Sequence, residues 1–125
     1  MDDAPADAGK ALGELLRGTA DRLRRLPESR LTRVASSGRA LVQSLADAAA
    51  GVENRDAPSP PPLRVVPALS VFALADQVAV TAHDLRAATA GLEPSTPVWW
   101  NGARTPLRDV LHVLLVQVEA VRAQV

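Results

Sequence analysis

Five prolines, Pro58, Pro60, Pro61, Pro62 and Pro67, crowd into residues 52–68 and decide how the rest of the chain can fold. Proline has no amide hydrogen to donate and pushes the preceding residue out of the helical region, so no helix runs through this stretch. The Pro60–Pro62 run is expected to hold a polyproline-II spacer, which at about 3 Å per residue reaches along the side of a helix. The chain therefore divides into two parts joined by a stiff crossover. Pro58 and Pro61 also have the PxxP spacing of a ligand for aromatic grooves, although a crossover is the simpler role.

Both parts carry helical periodicity. Residues 1–7 are acidic and contain Pro5, and with nothing to bury they are expected to be disordered. From about residue 8 to 26, Leu12, Leu15, Leu16, Leu23 and Leu26 fall on one helical face, with a kink or restart near Gly18-Thr19, where Thr19 would cap. Pro27 closes this element. A second helix over about 28–50 has the stripe Leu31, Val34, Gly38, Leu41, Leu45, Ala48 and Val52, spaced alternately three and four, with Gly51 as its stop. A third, over about 69–90, is apolar around most of its circumference (Val71, Phe72, Leu74, Ala75, Val78, Ala79, Ala82, Leu85), so it is expected to be the most buried element. A fourth, over about 105–123, opens on a Thr105 cap with Pro106 at its first turn and buries Leu107, Val110, Leu111, Leu114, Val118 and Val121.

An all-α fold follows: a four-helix bundle, or two helical hairpins joined by the Pro-rich crossover and completed by dimerisation. With residues 8–125 as one helical domain, neither half has core enough to stand alone.

The chain has one phenylalanine, Phe72, and no tyrosine, yet Trp99 and Trp100 lie side by side in the presumptive loop 92–104. Asn101-Gly102 after them signals a tight turn, since both residues tolerate positive φ. Neighbouring residues of an extended segment point to opposite sides, so one indole is expected to plug the end of the bundle. The other, with Arg104, would face a partner. Val113, Leu115 and Val116 lie off the buried stripe of the fourth helix and need a second neighbour, in this chain or another subunit.

Constellations that carry chemistry are sparse. No cysteine is present, which excludes thiolate chemistry and disulfides. His83 and His112, with Asp76 and Glu119, are the candidate metal ligands, provided the polar sectors of the third and fourth helices face each other. There is no Glu-x-x-His pair, no nucleotide-binding glycine pattern and no nucleophile elbow, so no cofactor and no enzymatic activity are expected.

Charge is balanced over the whole chain but not along it. Arg17, Arg22, Arg24, Arg25, Arg30, Arg33 and Arg39 face only Asp21 and Glu28, an expected basic patch for an acidic partner, a membrane surface or nucleic acid. The acidic start does not read as a signal peptide, and the apolar runs fall short of the roughly 20 residues of a membrane span, so the cytoplasm is the expected location. The leading expectation is a non-enzymatic module that self-associates, typically as a homodimer, or binds a protein partner. The alternatives are a metal- or small-molecule-binding bundle using His83 and His112, and an anionic-polymer binder using the arginines.

Overall fold

The computed structural model describes residues 4–125, with side chains from residue 8 onward. The protein is mostly helical. Among the described residues there are four helices, α1 (Ala4–Arg25), α2 (Glu28–Glu53), α3 (Leu74–Thr89) and α4 (Leu107–Arg122), with one antiparallel pair of strands, β1 (Pro97–Trp100) and β2 (Ala103–Pro106), between α3 and α4. The expected loop 92–104 thus contains β1, the turn and the first two residues of β2, which amends the all-α reading. Of residues 1–7, expected to be disordered, residues 1–3 and the side chains of 4–7 lie outside the described residues. No helix among the described residues is long and apolar enough to cross a membrane.

Helix α1 is unbroken through Gly18-Thr19, contrary to the expected restart. Thr19 is wholly buried, and its hydroxyl donates to the Leu15 carbonyl at 2.7 Å. That back-bond satisfies the hydroxyl inside the helix, so no new N-terminus is needed to use it. Leu12, Leu16 and Leu23 are buried, with Ala20 between them.

Helix α2 is the central element. All seven expected stripe positions are buried, and Ala35, Val42, Ala49 and Gly51 are buried as well. The apolar sector is wider than a two-helix seam because α2 packs against both α3 and α4. Gly51 does not stop the helix: it continues to Glu53 and is capped by Asn54, whose side-chain amide donates to the Ala50 carbonyl at 2.8 Å. Gly51 has another role, because a Cβ there would sit 1.9 Å from the Trp99 carbonyl oxygen. The glycine lets a strand backbone touch the helix backbone.

Helix α3, expected to be the most buried, buries only Leu74, Ala75, Val78 and Leu85. Phe72 and Val80 of its region are exposed. An apolar circumference shows what a helix could bury, whereas the neighbours it has decide what it does bury. A 3-10 turn, Val71–Ala73, precedes it, with the Ser70 hydroxyl accepting from the Phe72 amide.

Helix α4 buries the six expected residues. Its N-terminus is built differently from expectation. Thr105 lies in β2 and Pro106 occupies the cap position, with no side-chain cap. The first two free amides, of Leu107 and Arg108, donate instead to the carbonyls of Thr96 and Pro94, both at 2.9 Å. Backbone from the preceding loop does what a capping side chain does elsewhere.

The crossover, residues 60–70 without helix or strand, is fastened mainly through its backbone. The Gln43 amide donates to the Arg64 carbonyl (2.9 Å) and accepts from the Val66 amide (2.8 Å). Arg39 donates to the Leu69 carbonyl and Gln77 to that of Pro67. Only Val66 adds a side chain packed on the core. Gln43→Ala is therefore expected to lower stability by about 1–2 kcal/mol, since two modest net hydrogen bonds to the crossover and a third to Asp47 disappear. Trypsin should then cleave after Arg64 several-fold faster than in the unaltered chain. An unchanged cleavage rate would show that Gln43 does not hold the strap.

Candidate functional site

The tryptophan hairpin is shaped by its turn. Asn101 and Gly102 have φ of 51° and 77°, both left-handed, as a two-residue type I′ connection requires. The expected tight turn is present, and it sets the register: Trp99 faces Arg104 and Trp100 faces Ala103. Pro97 and Pro106, paired at the open end, donate no amide and end the ladder. Val98 between them is fully buried.

Both indoles are half-buried, rather than one sheltered and one exposed. Trp100 packs against the core cluster. The Arg104 guanidinium stacks over the Trp99 ring, 4.1 Å from its centroid, in a cation–π contact. The Trp99 indole N–H donates to the Ala57 carbonyl at 3.3 Å, and Arg104 donates to the carbonyls of Arg55 and Ala57. This cross-strand pair thus latches the hairpin onto the turn that follows α2. Arg104 is engaged within its own chain. The sequence reading missed that partnership, although a two-residue turn at Asn101-Gly102 makes a 99/104 pair a matter of counting.

Beside the indoles, Pro60, Pro61 and α2 border an open groove of about 220 Å³. Small-molecule sites usually occupy 300–1,000 Å³, so this one suits part of a side chain rather than a whole ligand.

On α4, Val113 and Val116 are exposed, while Leu115 is half-buried against the core. More of the exposed large apolar side chains lie elsewhere. Leu63, Val65, Leu69, Phe72 and Val80 are exposed along the crossover and the start of α3, Val65 at 88% and Phe72 at 63%. Phe72 was expected in the apolar sector of the third helix, whereas Val80 shares a helical face with Asp76, Gln77, His83 and Asp84, so its exposure follows from spacing.

The arginines divide. Arg24 bridges Asp21 at 3.1 Å and Asp76 at 3.3 Å, Arg22 donates to the backbone oxygen of Val125, and Arg39 holds Leu69. Arg17, Arg25, Arg30 and Arg33 make no ion pair or side-chain hydrogen bond among the described residues. Of these arginines only Arg24 is paired with carboxylates among the described residues, and Arg22 and Arg39 keep their charge while bonded to carbonyls.

The metal candidates are not brought together. His83 and His112 are exposed, and α3 and α4 are not extensively in contact. Asp76 is engaged by Arg24. Among the described residues, no three His, Asp or Glu side chains converge on a possible ion position.

No family model matches the chain, and neither a curated protein nor a solved structure is significantly similar to it.

Proposed function

We propose that this protein is a self-assembly module whose partner is a second copy of the same chain. The reading is carried by the exposed apolar stretch Leu63, Val65, Leu69, Phe72 and Val80, which places the only phenylalanine in solvent. Scattered exposed aliphatics are ordinary; in this reading the five share one face, the kind of surface that marks an interface. Balanced charge, 14 basic against 14 acidic residues, supplies no repulsion between like copies. Val113 and Val116 on α4 offer a second, smaller apolar surface.

The energetics favour a weak complex. Covering these side chains on two copies contributes roughly 10–20 kcal/mol at about 1–2 kcal/mol each. Lost translational and rotational freedom offsets about 4–15 kcal/mol of that. The midpoints of the two ranges leave about 5–6 kcal/mol, a dissociation constant on the order of 0.1 mM.

Sedimentation velocity over about 10 μM to 1 mM tests it. Concentration-dependent dimerisation is expected, weakened at least tenfold by Val65→Glu with Phe72→Glu. Both positions are exposed, so the double variant should keep its fold. A chain that stays monomeric throughout, or dimerises equally well with both glutamates, contradicts the reading.

A second reading, a polyanion binder, is favoured by one observation, that Arg17, Arg25, Arg30 and Arg33 have no ion-pair partner among the described residues. It predicts binding to heparin or DNA that weakens steeply with salt.

A further inference from the structure

The extensive helix–helix contacts run between the two halves of the chain rather than within either. α2 packs on α3 and α4, and α1 packs on α3 and α4, while α1–α2 and α3–α4 contacts are slight. The hairpin likewise rests on α2 through β1. Each half is an open pair of helices that closes only around the other.

Three glycines key the seams between the halves. Gly38 admits Leu74, Gly51 admits the Trp99 carbonyl, and Gly18 lies under the Arg122 guanidinium. Polar contacts cross the same seams, Arg24 to Asp76 and Arg39 to the Leu69 carbonyl. The covalent tie between the halves is the segment after α2, where residues 60–70 have no regular structure.

Noncovalent seams of this kind are indifferent to which chain supplies each side. We propose that the halves exchange between copies: α1–α2 of one chain clasps α3, the hairpin and α4 of a second, and the reverse. The product is a closed two-fold dimer with the seams of the monomer, hinged in the crossover. Exchange competes with intramolecular closure, whose effective concentration over a short linker is in the millimolar range, so it is favoured when folding occurs in concentrated solution. The proposal does not depend on the exposed apolar stretch, and the two are separable.

The crossover geometry offers a way to force the outcome. Arg64 bonds Gln43, ten residues back along α2 from Glu53, which is about 15 Å of helix. Residues 54–63 must cover that distance after a turn at Asn54–Ala57. Deleting Pro58–Pro62 leaves five residues, at most about 17 Å fully extended, so a chain closing on itself can no longer turn at Asn54–Ala57 and still bond Gln43, and loses the strap contacts that favour the monomer.

The test uses full chains carrying Val65→Glu and Phe72→Glu, which disables the surface proposed above. Two isotopically distinct preparations are mixed, unfolded in denaturant, refolded together at about 1 mM and weighed by native mass spectrometry. Mixed-mass dimers are expected, about half of all dimers, with the tryptophan emission of the monomer. They should form only if the chains were unfolded together, and should persist for hours on dilution, because exchange requires unfolding. The same chains lacking Pro58–Pro62 are expected to dimerise at concentrations where the intact chain is monomeric. Persistent mixed-mass dimers in either experiment support exchange. Only monomers or unfolded chains in both overturn it, as do dimers that trade subunits quickly without denaturant.

Discussion

Gly51→Ala is expected to unseat the tryptophan hairpin and to cost at least about 2 kcal/mol. Overpacking a close contact typically costs 1–3 kcal/mol, and more where the obstruction cannot move. The obstruction here is the Trp99 carbonyl, 1.9 Å from the new Cβ, and it belongs to backbone rather than to a flexible side-chain end. The strand cannot retreat cheaply, because Val98 is buried beside it and the Thr96 and Pro94 carbonyls cap α4. Alanine regains about 1 kcal/mol of helix propensity, which the clash exceeds. Gly9→Ala is the matched control: it lies in α1 with open space around the Cβ position, so it should stabilise by about 0.5–1 kcal/mol. Because both tryptophans sit on β1 and the chain has no tyrosine, native-state emission reports the hairpin alone. A red-shifted emission with largely retained helical circular dichroism is the expected signature for Gly51→Ala. Unshifted emission and undiminished urea stability would refute the close approach.

Leu114→Ala is expected to cost about 3–5 kcal/mol, since Leu114 is wholly buried in α4 where that helix meets α1 and α2. Against a total stability of about 5–15 kcal/mol, that loss decides whether the protein stays folded at body temperature. The preceding residue, Val113, is exposed, and Val113→Ala should change stability by no more than about 0.5 kcal/mol. Urea denaturation of the two variants reads the contrast. Comparable losses would mean that α4 packs on a different face.

The α4 stripe was legible from spacing alone, and so were seven buried positions of α2, but not the wider sector that Ala35, Val42 and Ala49 add. A helix repeats every 3.6 residues whatever surrounds it, so the residues sharing a face are known before any partner is. The Asn101-Gly102 turn was equally legible, because few residues other than asparagine and glycine accept left-handed φ. The two strands flanking it were not taken from the same signal, since Pro97 and Pro106 argue against a ladder. They proved to be its terminal pair, where a missing amide costs little.

Of the candidate site, the tight turn was legible in the sequence and the arrangement around it was not. The sequence singled out Arg104 as free to meet a partner, whereas the fold spends its donors on the Arg55 and Ala57 carbonyls, 49 and 47 residues away in the chain. Thr105 looked like a cap until two loop carbonyls took that work. Gly51 looked like a helix stop, although its missing Cβ serves a strand 48 residues later.

Local chemistry determined where the helices run, which residues line each stripe, where the proline segment interrupts them and where the hairpin reverses. Each depends on backbone preferences and periodicities felt over a few residues. The tertiary structure alone decided that α2 rather than α3 lies at the centre, that the halves clasp each other, and which apolar and basic side chains are left in solvent. Those outcomes are set by contacts between residues tens of positions apart, and short-range preference carries no information about them.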